Sequence, residues 1–459
     1  MVRLRVAPAP RVEHTNGDPR RTAASLSEVL PGQVSLPPSS LPTTNLSRIS
    51  HTIDVPGLGK PRFLGMSTSS LRAIIVGGGP LGLFTGHALE AAGIDYVIVE
   101  KRPVIVDESG AGILIFPHTM RVLDQLGFHG YPCRIFTRTD LTKVLFENLP
   151  QRETRIRTEC GLSDIQFTES GVNATLEDGS TEKASFIIGC DGVHSRTREI
   201  IERLSMDRTA GARLQASEQM VSSFQALYGR ASYLDGVEKR TFFESRGTGM
   251  TTQLYASDSV STFALFRKIH SPTNERRRYT QEETRDFMQA FANVSVAPNL
   301  KAKDLLAKCT WSRLVNQEEG LMKIWHYDRV VLVGDSVHKM TSNAGMGLNC
   351  ALQSSVLLMN ELQKISTQAN PDVEAFGKVS ATYGETRFRE VQPVYDMAAK
   401  VVRTTTWSTW GLWFLDQYVV PLIGLRRVIG SISQTVIRRG RLLNYVTREG
   451  RQGTLPWTE

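Results

Sequence analysis

The apolar positions of this chain follow two periods. Leu71 to Val76 is an unbroken, β-branched-rich run that stops at Gly77, the pattern of a parallel strand buried on both faces. Leu81 to Ala92 continues with a helix-compatible pattern and stops at Gly93, a residue suited to a left-handed C-cap. Tyr96 to Val99 repeats the strand pattern and ends at Glu100. Phe186–Ile188 and Val331–Val333 are two more short apolar runs closed by glycine, each followed closely by an aspartate, Asp191 and Asp335. Gly171 to Leu176 with a turn at Asp178-Gly179 reads as a hairpin arm. From 205 to 324 the texture changes. Thr241–Phe243, Met250–Tyr255 and Thr262–Phe266 are short apolar segments between polar turns and predict antiparallel strands. Cys350 to Gln363 predicts a long apolar helix, and Tyr383 to Val402 a second one beside it.

The glycines at the end of the first run give it a chemistry. Gly77, Gly79 and Gly82 have GxGxxG spacing between a strand and a helix. The first permits a tight turn, the second lets a pyrophosphate approach the backbone, and the third lets helix and strand pack closely. The helix aims its free N–H groups at the phosphates. Glu100, 18 residues after Gly82, ends the second strand where an acid grips a ribose diol, which suits FAD or NAD rather than NADP. Asp191 also reads as an N-cap for the helix that follows it.

Composition narrows the picture. The 459 residues are 41% hydrophobic, enough for two packed domains. The net charge of +8 is concentrated at the ends: residues 1–66 hold eight basic against four acidic residues, and 420–459 seven against two. A nearly neutral body argues against a nucleic-acid face. The five cysteines lack CxxC pairing, so neither a metal site nor a disulfide framework is expected. Residues 1–65 are rich in Pro, Ser, Thr and Arg, lack a signal-peptide core and read as a disordered extension. Met66, just before the first strand, is the expected start of the folded enzyme. Trp311 and Trp325 read as core or sheet aromatics, and Asn274–Arg278 as a solvated connector. Residues 407–424 are aromatic and apolar but contain Asp416 and Pro421, and Arg426, Arg427, Arg438, Arg439 and Arg441 follow. Such a stretch suits contact with a membrane surface through 407–441 better than a span. The expected location is the cytoplasmic side of an intracellular membrane, without secretion.

Taken together, Gly77–Gly82, the Asp191-Gly192 motif and the Gly334-Asp335 motif resemble those of single-component flavoprotein monooxygenases of the para-hydroxybenzoate-hydroxylase-like group. Gly110–Pro117, Arg121–Gly127 and Gly334–Thr341 are similar to the PaxM-type fungal branch, which serves meroterpenoid and indole-diterpene biosynthesis. The resemblance runs from Leu71 to Arg403. It implies an α/β fold with a discontinuous Rossmann-type FAD-binding domain (66–204 and 325–403), an antiparallel substrate domain (205–324) and a helical, apolar C-terminal segment (404–459). It also implies roles: Glu100 on the adenosine ribose, Arg138 on the phosphate or adenine side, Asp191 in flavin and nicotinamide handling, and Asp335 on the ribityl chain. The backbone of Asn343–Asn349, Leu348 included, would meet the flavin N1/O2 edge, where reduction places negative charge. The chain departs from the family at Ser342 (usually proline), Met346 (usually glutamine), Leu348 (usually small) and Leu114 (usually glycine), and is short after Phe128.

The activity so implied uses FAD, NAD(P)H as co-substrate and O2. It acts on a hydrophobic small molecule, with epoxidation of a prenyl-chain alkene foremost. It demands dryness and substrate placement more than acid–base side chains. No catalytic residue is singled out, and His338 reads as structural. Two alternatives stand: an aromatic hydroxylase of the salicylate type, which needs an Arg or Tyr anchor for a carboxylate, and an inactive flavin-fold scaffold.

Overall fold

The apolar runs that end in glycine lie side by side. The computed structural model describes residues 2–5, 69–107, 111–128, 135–208, 220–239, 241–257, 260–368, 371–423 and 436–447. Strands Val330–Leu332, Phe186–Gly189, Arg72–Val76, Asp95–Val99 and Ile156–Arg157 pair in that order, all parallel, and His326–Tyr327 closes one edge antiparallel. Continuous Ile/Val sequences are needed because both faces are covered; Ile74, Ile75, Ile187, Ile188 and Val330 have no measurable exposure. From Arg72–Val76 the chain first adds a strand on one side and later one on the other. The carboxyl ends of these strands therefore flank a topological switch point, where such sheets bind ligands.

The helix after the first strand is Pro80–Ala92, with Pro80 in its first turn and Gly93 at φ 66° closing it. Ser336 and Arg198 lock the second and third motifs together. Ser336 Oγ donates to Gly189 O at 2.8 Å, and Arg198 donates to Ser336 O at 2.7 Å and Val193 O at 2.9 Å. The expected hairpin arm is the middle strand of a three-stranded unit, Leu162–Phe167, Val172–Leu176 and Thr181–Ala184.

The antiparallel sheet has seven strands, ordered Val2–Arg5, Thr241–Gly247, Met250–Ala256, Ser261–Thr273, Val221–Ala231, Cys309–Leu321, His338–Lys339. Its first and last strands come from outside 205–324. Val2–Arg5 corrects part of the expectation of a disordered extension: an alternating Val-Arg-Leu-Arg sequence supplies a strand, and the free edge of Thr241–Glu244 takes it. Residues 6–68 lie outside the described residues, as do Met66 and the connection at 129–134. Asn274–Arg278 is exposed and Trp325 is core, 3% exposed between His338 and Tyr383; half-buried Trp311 stacks under Arg230.

Two long helices, Gly347–Gln363 and Val373–Thr405, pack against each other; the first lies against Pro80–Ala92 and the second reaches the parallel sheet, where the Tyr383 hydroxyl donates to Leu332 O at 3.0 Å. The second is longer than its apolar pattern suggests, because Asp372 caps it from Ala375 N–H at 2.8 Å and it continues through Pro393.

Candidate functional site

One cavity of about 1640 Å³ opens at the switch point and runs beneath the antiparallel sheet. Of the residues singled out above, Gly79, Arg138, Asp191, Asp335 and Leu348 line it, together with Leu114, Ser342 and Met346. Gly77 and Gly82 shape the loop from behind. Gly77 sits at φ 105°, and a Cβ there would lie 2.7 Å from Cys190 O. A Cβ on Gly82 would lie 1.9 Å from Gly77 O. A Cβ on Gly79 would instead enter the cavity, meeting only Arg138 Nη2 at 3.9 Å. The loop is thus tight against protein at two glycines and open toward the cavity at the third.

Arg138 exposes its guanidinium to this cavity, and no hydrogen bond to protein engages that group. Burial first, and the nearby Arg102 second, push its pKa down, against the smaller opposing pull of Asp107, Asp335 and Glu100. Glu100 lies at the back. It accepts from Gly78 N–H at 2.8 Å and from Arg102 N–H and Nε at 3.0 Å each, and it does not line the cavity. Three of about four acceptor positions are taken, leaving one.

The two aspartates differ. Asp191 accepts from Ser195 Oγ (2.6 Å), Thr197 N–H (2.9 Å) and Thr197 Oγ1 (3.0 Å), so it caps the helix Arg196–Arg208 as well as facing the cavity. Burial raises its pKa despite those donors. Asp335 is held by Lys339 Nζ at 2.8 Å. Burial alone would depress the Lys339 pKa; Asp335 reverses the sign and holds it high.

The loop between the third motif and the helix Gly347–Gln363 carries residues the sequence reading passed over. Asn349, fully buried, donates to Leu114 O (2.7 Å) and Gly345 O (2.9 Å) and accepts from Phe116 N–H (2.9 Å), stitching two cavity walls together. Asn343 is 8% exposed and lines the cavity, yet neither amide atom has a hydrogen-bond partner. A buried amide without a partner costs about 1–3 kcal/mol, so this one is placed for a ligand with donors and acceptors. The heterocyclic edge of a flavin offers both. Gly345, at φ 68°, turns the loop so that the uncapped N-terminus of the helix faces the cavity. Ser342 binds Gln317 Oε1 at 2.9 Å and contacts the Tyr228 hydroxyl, fixing the loop to the antiparallel sheet. Position alone could have flagged Asn343 and Asn349, since both follow the glycine-aspartate motif; apart from Gly345, the partners of Asn349 lie over 200 residues away, and the Asn343 amide has none.

The far end of the cavity combines an apolar wall with a polar knot, and the helix side adds Arg389, Asp396 and Lys400. Phe242, Tyr255, Phe266, Met397, Val401, Leu415 and Val420 line it. The helix Val373–Thr405 presents 389, 393, 396, 400 and 404 along one stripe, as its pitch requires. The knot is Arg246, bonded to Glu244 Oε1 at 2.8 Å and to Asp416; Gln253 bridges Glu244 Oε2 (3.1 Å) and Asn343 O (2.8 Å). Both carboxylates are buried, so Arg246 is already neutralised.

His338 is structural: it has no exposure, stacks on Trp325 and bonds Ser354 at 2.9 Å. Burial depresses its pKa to about 3, and those of His87 and His118 to about 4. Their folded pKa values lie below the unfolded 6.5, so the unfolded chain binds more protons between the two. Stability is therefore fully present above about pH 6.5 and falls as the pH drops toward 4. Urea midpoints measured across that range will decline, and a His338→Gln variant will show a shallower decline. An unchanged slope would remove His338 from this account.

The chain matches the family model described as FAD binding domain over residues 70–131 and 129–375, two stretches that meet at the short connection after Phe128. It is 35% identical over 441 residues to FAD-dependent monooxygenase srdH of Neurospora crassa, covering 84% of this chain and 98% of that protein. It is 28% identical over 407 residues to FAD-dependent monooxygenase ausM of Penicillium brasilianum, covering 80% and 85%. Among solved structures, Klebsiella pneumoniae HpxO complexed with FAD and uric acid superposes with a TM-score of 0.64 at 18% identity, covering 81% of this chain and 98% of that one. A salicylate hydroxylase substrate complex superposes with 0.61 at 15% identity, with the same coverage.

Proposed function

From the premise that the chain belongs to the FAD-binding-domain family of FAD-dependent monooxygenases, we propose that it oxygenates an alkene of a hydrophobic, prenyl-bearing small molecule. The reductant is NAD(P)H, and O2 is the oxygen source in this reading. The PaxM-type branch, with fungal meroterpenoid or related terpenoid substrates, is the finer assignment. The sequence similarity to ausM and srdH supports it.

The residues present fit FAD. Gly77, Gly79 and Gly82, with the N-terminus of Pro80–Ala92, take the pyrophosphate, and Arg138 gains the anion it lacks. Glu100 offers its remaining acceptor position to the adenosine ribose. Asp335 takes the ribityl chain, while Asp191 stands between cofactor and helix. The amides around Leu348 and the free amide of Asn343 receive the ring's polar edge. FAD supplies the redox chemistry; the chain binds it, orients the substrate and excludes water.

The single observation favouring an alkene is the state of Arg246. A salicylate-type substrate needs a cation for its carboxylate, and two buried carboxylates already occupy the Arg246 guanidinium beside the aromatic wall, while Arg389 and Lys400 line the cavity only from the side of the helix Val373–Thr405. The unpartnered Asn343 amide argues for a working site rather than an inactive scaffold, since it does not stabilise the empty fold.

The test uses the full chain loaded with FAD. Prenylated aromatics with a terminal alkene will stimulate NAD(P)H oxidation and give a product one oxygen heavier that opens to a diol in acid. Stimulation by a hydroxybenzoate with ring hydroxylation would transfer the assignment to the salicylate type. Failure to take up FAD at all would favour the scaffold.

A further inference from the structure

The helical segment after Val373–Thr405 presents an apolar face that no other described residue covers. Trp410–Phe414, a wide π turn Leu415–Val419 and Val420–Ile423 form one helical segment. The wide turn comes just before Pro421, which has no N–H to donate to the preceding turn. Trp410 is 74% exposed and Leu422 85%, with Phe414, Tyr418 and Ile423 also exposed. Trp410, Phe414 and Tyr418 stack in a row, with centroids 5.7 Å and 5.1 Å apart. Monomeric proteins rarely leave such a contiguous patch to water.

The opposite face shows that this orientation is fixed. Asp416 is 4% exposed and accepts from Arg246 and, at 2.8 Å, from Trp407 Nε1. Rotating the helix to hide its aromatics would drag a buried carboxylate off its guanidinium, at the cost of an unpaired buried charge. The exposed face is therefore outward by construction.

Charge identifies the occupant. From Trp410 to Thr447 the sequence contains Arg426, Arg427, Arg438, Arg439 and Arg441, the last of which is bonded to Glu390, and its one acidic residue is the buried Asp416. An exposed Trp/Phe/Tyr/Leu face followed in sequence by a basic stretch matches the interface of a bilayer carrying anionic headgroups. A second copy fits poorly, because it would bring the same basic segment against this one. No helix among the described residues is long and apolar enough to cross a membrane.

We propose that the segment Trp410–Ile423, with the arginines that follow it, docks the enzyme on an anionic lipid surface. The consequence for the cavity is direct. Leu415 and Val420 line the cavity from the helix's inner side, and Ile437 lines it too. The element lying on lipid is thus also a wall of the chamber, so an apolar substrate dissolved in the membrane has a short path inward. The docking itself is independent of which oxygenation the enzyme performs.

The experiment is flotation of the full-length, FAD-loaded protein with phosphatidylcholine vesicles and with vesicles containing phosphatidylserine. The protein will float with the phosphatidylserine vesicles, and binding will fall as salt rises. A triple Trp410→Ser, Phe414→Ser, Leu422→Ser variant will bind at least tenfold more weakly while keeping its flavin and its substrate-free NAD(P)H oxidation. Should that triple lose flavin, Arg426→Glu with Arg427→Glu serves in its place and will weaken only the phosphatidylserine-dependent binding. Wild-type protein that floats with neither vesicle overturns the proposal. So does a lipid-free dimer that the triple variant dissociates, since the face would then be covered by a second copy.

Discussion

Gly79→Ala will purify folded but without flavin, and Gly82→Ala will lose flavin and stability together. The difference follows from where each new methyl goes. At position 79 it enters the cavity and meets only Arg138 Nη2 at 3.9 Å, so the empty fold feels little. A bound pyrophosphate needs that space, and its loss is expected to weaken FAD binding by about 100-fold, on the order of 3 kcal/mol. At position 82 the methyl falls 1.9 Å from the Gly77 carbonyl oxygen. Helix and turn must separate, with a cost of about 1–3 kcal/mol for overpacking before any cofactor is considered. Flavin content per chain, FAD titration by fluorescence quenching and urea unfolding of the apo form separate the two effects. Wild-type FAD affinity in Gly79→Ala would mean that the phosphates do not pass over this glycine, and the proposed cofactor placement would fail with it.

These glycines were legible in the sequence because their reasons are local. A turn at φ 105° and a helix packed on its own preceding strand are decided within seven residues, and GxGxxG spacing reports both. The parallel strands were legible for a similar reason, since burial on both faces leaves an unbroken apolar run. What could not be read is what distant segments do to one another. Asp416 looked like a flaw in an apolar run; its meaning is Arg246, 170 residues earlier. Asn349 is meaningful only through Leu114 and Phe116, more than 230 residues away. The sequence places Glu100 at a strand end but cannot say that Arg102 and Gly78 already hold it. The strand Val2–Arg5 was hidden by its surroundings: four alternating residues carry too little pattern to stand out beside a Pro- and Ser-rich stretch, and the pairing edge lies near residue 243. Ser342 shows a departure finding its own support, because its hydroxyl meets Gln317 and Tyr228.

The knot at Arg246 carries the second large effect. Asp416→Ala removes one of the two carboxylates on a buried guanidinium and the acceptor of Trp407 Nε1. Breaking a buried pair typically costs about 3–5 kcal/mol, and the low end applies because Arg246 keeps Glu244. The loss will be local, since the helix Trp410–Ile423 has few other anchors: its remaining contacts are chiefly with the end of Val373–Thr405. Freed from Arg246, the helix ceases to be a fixed wall of the chamber, and water gains entry. Protease cleavage between 407 and 423 will therefore accelerate. NAD(P)H will be consumed with a smaller share of it yielding oxygenated product, while flavin content stays near wild type because Glu244, Gln253 and the Asn343 carbonyl, which join the knot to the cofactor end, keep their own bonds. Asp416→Asn keeps a hydrogen-bonding oxygen but not the charge, and should fall between the two. If Asp416→Ala matches the wild type in both protease resistance and coupling, the C-terminal helix is not what keeps the chamber closed. The dry environment that oxygenation requires must then come from the antiparallel sheet and the helix Val373–Thr405 alone.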